Sequence, residues 1–299
     1  MAEDEGHFLG YESADLADAY FSIIPAPFDA AASYITGQAA APRKILDASS
    51  LIEDYDEQTG LSLVDMVGIH TIAPESAPDQ PGQLESWVKE RVAAALDATA
   101  VPVILGGDGT VTLWGIETLL ARSPELSVLH VDSNSDLDDP DDDEENHHTV
   151  MRRVLELKNP PSICQVGVRA LSRDAFERIM DNSISVETFF MADIEGQTDE
   201  SWQNLVVDEL RTPVYLSIDL TGLDPSVIPA VGAAEPGGLG WWQLLRLLKK
   251  VASRRRIAAI DVTELCPAET SIQSDLAAAR LIYKVMNYIQ SSGKMLAKE

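Results

Sequence analysis

The sequence predicts a three-layer α-β-α sandwich built on a mostly parallel sheet, and three observations carry that expectation. Short apolar runs recur along the 299 residues without clear polar alternation. Between them lie longer stretches with apolar residues three and four positions apart. Strands that are apolar throughout and separated by helices belong to parallel sheets covered on both faces. Nor does a Pro/Gly/Ser-rich linker or a repeat divide the chain, so residues 1–299 are expected to form one domain.

Taken in order, the expected strands are "YFSIIPA" (20–26), "VDMVGIH" (64–70), "VPVILGG" (101–107), "LSVLHVD" (126–132), "SICQVGV" (162–168), "PVYLSID" (213–219) and "RIAAIDV" (256–262). Each is rich in β-branched or aliphatic residues and ends at a polar or glycine-bearing exit. The expected helices are 84–98, 110–123, 172–181, 202–211, 241–254 and 274–290. In the last, "SDLAAARLIYKVMNYIQ", apolar residues repeat at helical spacing over more than four turns.

Composition narrows the function classes. The net charge is −27, which disfavours phosphate backbones and anionic membranes and suits a cationic ligand. No apolar run approaches the roughly 18 residues needed to span a bilayer. The acidic N-terminus "MAEDEGHFLG" lacks the layout of a signal peptide, so a cytoplasmic protein is expected. Cys164 and Cys266 are the only cysteines, which leaves no disulfide framework and no thiolate metal site.

In open α/β sheets ligands sit beyond the carboxyl ends of the strands. Four such exits carry "GGDGT" (106–110), "DSNSDLDDPDDDEENHH" (132–148), "SIDLTGLDP" (217–225) and "DVTELCP" (261–267). They supply Asp108, Asp132, Asp136, Asp219, Asp224, Asp261 and Glu264, an expensive convergence unless a cation or hydrogen bonds offset the repulsion. Asp132, Asn134 and Asp136 fall at every second position, so an extended chain would place them on one face. Residues 136–145 hold eight acids in ten positions but lack the glycine and spacing of an EF-hand, and read as a solvated loop. His130 has no motif role and reads as a satisfied core histidine.

These stretches together resemble the ureohydrolase family of arginase, agmatinase and formimidoylglutamase, closest to the agmatinase type. "IPAPFDAAASYITGQAAAPRKILDASSLIEDYD" (24–56) is similar to the family's N-terminal segment, and "LGGDGT" to its "G-G-D-H-S" turn. "VDSNSD" resembles "D-A-H-x-D", and "NHHTVMRRVLE" resembles "S-H-G-T-x-F-R-R". "SIDLTGLDPSVIPAVGAAEPGGL" is similar to "S-x-D-x-D-x-x-D-P…P-G-G", and "DVTELCP" to "D-x-V-E-x-N-P". Six motifs in the correct order span nearly the whole chain, and the family's sheet has about eight strands.

The resemblance implies a hydrolase chemistry run by two manganese ions about 4 Å apart, sharing carboxylates and activating a hydroxide that attacks a guanidinium carbon. Of the six ligand positions, Asp132, Asp136 and Asp219 match. The two histidines are Gly109 and Asn134, and one aspartate is Thr221. What survives is an all-oxygen site suited to no metal or to one hard divalent cation, Mn²⁺, Mg²⁺ or Ca²⁺, rather than to a binuclear manganese pair. Without a cation the carboxylates are expected to share a proton. Glu264 falls at the position that pairs with the guanidinium group, and His147 at that of a histidine that shuttles protons or positions substrate. The resemblance also implies a homotrimer or homohexamer.

Two functions are therefore expected. One is a catalytically impaired homologue that acts as a ligand-binding, regulatory or structural subunit beside an active paralogue, with a small cationic guanidino or polyamine ligand. The other is a divergent amidinohydrolase using one hard metal ion at Asp132, Asp136 and Asp219.

Overall fold

The computed structural model describes residues 6–29, 35–139, 147–181 and 183–293. The strands are β1 (Ala19–Ala26), β2 (Tyr55–Asp56), β3 (Leu61–Ser62), β4 (Gly68–Thr71), β5 (Val101–Gly106), β6 (Ser127–Val131), β7 (Ser162–Val166), β8 (Val186–Phe189), β9 (Val214–Asp219) and β10 (Ile257–Thr263). The helices are α1 (Ala41–Ser49), α2 (Pro81–Asp97), α3 (Thr110–Leu120), α4 (Val150–Glu156), α5 (Arg173–Ile179), α6 (Met191–Glu195), α7 (Asp199–Glu209), α8 (Trp241–Arg254) and α9 (Gln273–Ser291).

Among the described residues eight strands form one sheet in the order β4-β1-β5-β10-β9-β6-β7-β8, with β2 and β3 as a separate small hairpin. All pairings in the large sheet are parallel. Alternate strand residues feed two cores. Ile23, Val103, Leu129, Leu216 and Ile260 pack with α1, α7, α8 and α9. Ile24, Ile104, Val128, Tyr215 and Ala259 pack with α2, α3, α4 and α5 on the opposite face. Burial on both faces explains why these strands read as continuous apolar runs.

Local chemistry sets several boundaries. Pro42 occupies the first turn of α1, where its missing N–H costs nothing. At the start of α8 the Gln243 side chain accepts the Gly240 N–H at 2.9 Å. Two expectations need correction. Of 64–70, the first part is a 3-10 turn (Leu63–Asp65), and the strand begins at Gly68. β8 lay outside the expected strands because this half-buried edge, "VETF", carries only two apolar residues.

The topology positions the site. The chain runs from β5 through α3 to β6, leaving a gap that β9 and β10 later fill. The carboxyl ends of β5, β10, β9 and β6 are therefore adjacent, at the switch in strand order where α/β sheets bind ligands. Among the described residues, no helix is long and apolar enough to cross a membrane.

Candidate functional site

The four central strands deliver their polar exits to one buried cluster of side chains. β6 ends at Val131, and the next five residues form a bent loop rather than a continued strand. The Asn134 N–H folds back to Asp132 Oδ1 at 3.0 Å, and Asp136 takes a left-handed φ of 54°. The expected extended face of Asp132, Asn134 and Asp136 is thus absent. Asp132 and Asp136 meet because the loop turns, and the Asn134 carbonyl is instead taken by the Ser133 hydroxyl at 2.6 Å.

Thr221 stands in the 3-10 turn after β9. Its Oγ1 lies 2.8 Å from Asp132 Oδ1 and 2.6 Å from Asp219 Oδ1. A hydroxyl has one hydrogen to give, so one of the two carboxyls must donate to Oγ1. Burial, then the Asp132 and Glu264 charges, pushes Asp219 well above the usual carboxylate range. Burial also works against Asp132, but hydrogen bonds from His130, Asn134 and Thr221 and the His130 interaction outweigh it and hold Asp132 low. Asp136 is driven well up by burial and by the adjacent Asp132 charge. Burial and mutual repulsion thus work against the charged forms of Asp219 and Asp136, while the hydrogen bonds to Asp132 favour its charged form.

His130 belongs to this cluster, although its place in the sequence suggested only a core histidine. It is buried, and His130, Asp132 and Asp136 offer ligand atoms that all lie within 4.8 Å of one another. The ring is nonetheless committed. Gln165 pairs with His130 in the β6–β7 register, and its Nε2 lies 2.6 Å from the Ser135 carbonyl and 3.2 Å from His130 Nδ1. A carbonyl only accepts, so the Gln165 nitrogen must face it, and His130 Nδ1 must then accept as well. The hydrogen sits on Nε2, which points at Asp132 Oδ2 at 3.3 Å. Only the strand register could have revealed Gln165.

Glu264 follows β10 with φ 67° and is buried. Its Oε1 accepts the Gly109 N–H at 3.0 Å, and its Oε2 accepts from Gln38 Nε2 at 3.3 Å. Burial and the Asp108 charge raise its pKa to about 8, against the hydrogen bonds from Gly109 and Gln38. Gly109 opens α3 and contributes a backbone N–H only. Gly107, two residues earlier, is obligatory, because a Cβ there would stand 1.8 Å from the Phe28 carbonyl oxygen.

The remaining acids divide. Asp108 accepts the Thr110 N–H at 2.9 Å. Asp261 lies within β10, accepts from the Ser217 hydroxyl at 2.9 Å, and is raised by burial to about 6. Asp224 is held apart from these acids by the N–H groups of Ser226, Gly237 and Gly238. Arg169, unmarked by any sequence motif, donates to the carbonyls of Thr221 (2.8 Å), Glu235 (2.7 Å) and Pro236 (3.0 Å) and ties those loops together. His147 opens a 3-10 turn, but its side chain, like residues 140–146 with the rest of the acidic run, lies outside the described residues.

Comparison with known proteins places these features in context. A family model described as "Arginase family" matches residues 19–287. The N(1)-aminopropylagmatine ureohydrolase of Synechocystis sp. is 31% identical over 280 residues, covering 91% of this chain and 90% of that protein. The agmatinase of Pyrococcus horikoshii is 26% identical over 279 residues, covering 92% and 93%. Among solved structures, the agmatine ureohydrolase of Thermoplasma volcanium superposes with a TM-score of 0.81 at 25% identity, covering 93% of this chain and 92% of that one. The proclavaminate amidino hydrolase of Streptomyces clavuligerus shares the fold, with a TM-score of 0.84 at 20% identity and coverage of 96% and 97%.

Proposed function

This chain belongs to the arginase family, and from that premise we propose that it is a catalytically impaired member. In this reading it binds a small cationic guanidino or polyamine compound in the carboxylate pocket and acts as a ligand-binding, regulatory or structural subunit. The names of its relatives, aminopropylagmatine ureohydrolase and agmatinase, support that ligand class.

The observation that carries the impairment is Thr221. Its hydroxyl, between Asp132 and Asp219, satisfies two carboxyls by hydrogen bonding where the family resemblance would put an aspartate. Gly109 supplies no side chain, and the Asn134 carbonyl is already engaged by Ser133. His130 presents N–H, not a lone pair, toward Asp132. This donor set does not fit a manganese pair, so no hydrolytic step is assigned to one. The reading extends to a cytoplasmic homotrimer or homohexamer with an active paralogue.

A second reading, an amidinohydrolase with one hard cation, has one observation behind it: the proximity of His130, Asp132 and Asp136. Metal analysis of protein produced with excess manganese, paired with a urea-release assay on agmatine, separates the two. Folded, metal-free protein that binds agmatine and releases no urea fits the impaired subunit. About two manganese per chain with urea release would sink it, and one bound metal with urea release would establish the second reading.

A further inference from the structure

Gln38 is fully buried in the 3-10 turn Gln38–Ala40 that leads into α1. Its amide nitrogen donates to Glu264 across a separation of 226 residues. Gly232 makes the meeting possible: a Cβ there would lie 2.7 Å from Gln38 Nε2 and 2.9 Å from Glu264 Oε2. Glu264 itself occupies the left-handed region, where a long L side chain is disfavoured. Three separate segments thus hold a strained acid against a buried amide.

The amide leaves its carbonyl over. Gln38 Oε1 is buried and has no hydrogen-bond partner among the described residues. The same turn has a second such acceptor beside it. Asp29 Oδ2 accepts the Gly37 N–H at 2.7 Å, while Asp29 Oδ1 is buried and unpartnered among the described residues. Buried acceptors without donors are costly and uncommon. Two of them flank one turn beside an acid, an arrangement that the donors of a ligand would satisfy. A planar cation with several N–H groups meets that need better than an ammonium, whose donors diverge from one atom.

We propose that Gln38 is a specificity-determining residue of this pocket, its carbonyl oxygen and the Glu264 carboxylate together accepting the N–H edge of a guanidinium or amidinium ligand. The assignment rests on the ligand-binding reading above and adds the residue that selects the planar head group.

Isothermal titration of the wild-type chain, Gln38→Met and Gln38→Glu with agmatine and with 1,4-diaminobutane tests it. The two probes share a four-carbon chain and differ in the guanidino group. Wild type should prefer agmatine. Gln38→Met should lose about 10- to 100-fold of that preference, the worth of one hydrogen bond to a charged donor. Gln38→Glu, which keeps an acceptor oxygen, should retain it. A simple folding defect would weaken both probes together and leave their ratio intact. An unchanged ratio in Gln38→Met, or a ratio lost in Gln38→Glu, overturns the assignment while leaving ligand binding in place. If Gln38→Met does not fold, Gln38→Leu, which also removes the carbonyl, takes its place. Wild type that binds no guanidino compound overturns the ligand-binding reading and this assignment with it.

Discussion

The Thr221 hydroxyl and the Asp132 carboxylate meet at 2.8 Å, and the same hydroxyl oxygen lies 2.6 Å from Asp219. Three buried groups from two strand exits are thereby joined through one hydroxyl. Replacing Thr221 by valine keeps the shape and removes the bridge, leaving a buried carboxylate and a buried carboxyl without their shared partner. Thr221→Val should lose on the order of 1–3 kcal/mol in urea denaturation. Equal stability would show that the bridge contributes nothing.

Thr221→Asp should behave differently. A further carboxylate beside Asp132 and Asp219 adds like-charge repulsion that a divalent cation can offset. The variant should melt below wild type in chelator and recover when manganese is added, while wild type should respond little. Melting curves with and without MnCl₂ check this, and an equal manganese response in both proteins would contradict it.

Gln165 should fix His130 as the Nε2–H tautomer, since its amide nitrogen faces both the Ser135 carbonyl and His130 Nδ1. A long-range ¹H–¹⁵N spectrum of labelled protein should show a protonated Nε2 and a bare Nδ1. The opposite pattern would free Nε2 as a metal ligand and favour the one-cation reading.

Stability should fall as pH rises from about 4.5 to about 8. Glu264, with a pKa near 8, and Asp261, near 6, both bind protons more tightly folded than unfolded. A raised acid contributes its stabilisation below the unfolded value and loses it as pH climbs through the folded one. The melting temperature should drop by on the order of 5 °C across that window. Glu264→Gln, uncharged throughout, should flatten the upper part of the curve. A slope identical to that of wild type would remove Glu264 from the account.

Lys284 and Asp56 form a buried ion pair at 2.7 Å, which anchors the β2–β3 hairpin to α9. Removing one partner strands the other charge, so Lys284→Ala should cost about 3–5 kcal/mol. Removing both charges, in Lys284→Met with Asp56→Asn, should recover part of that loss. A double-mutant cycle by chemical denaturation measures it, and additive losses would mean the two side chains are not coupled.

Fold class and the location of the acid cluster can be read from the residues alone. Apolar runs such as "PVYLSID" need no register to read as strands buried on both faces, and acids at four strand exits mark the carboxyl end of the sheet. The order of six motifs did the same for family, and the substitutions at Gly109, Asn134 and Thr221 are visible residue by residue. Partners were not legible, because pairing depends on which strands become neighbours. Gln165 lies 35 residues from His130 and Gln38 lies 226 from Glu264, yet each sets its partner's chemistry. The bend after β6 was equally hidden, since period-two spacing describes a strand and residues 132–136 leave it. The hydrogen bonds that each buried acid receives come from strands and turns brought together by folding, and they set how far burial shifts each acid. Burial penalises charge at every one of them, and the hydrogen bonds to each from distant segments set the difference.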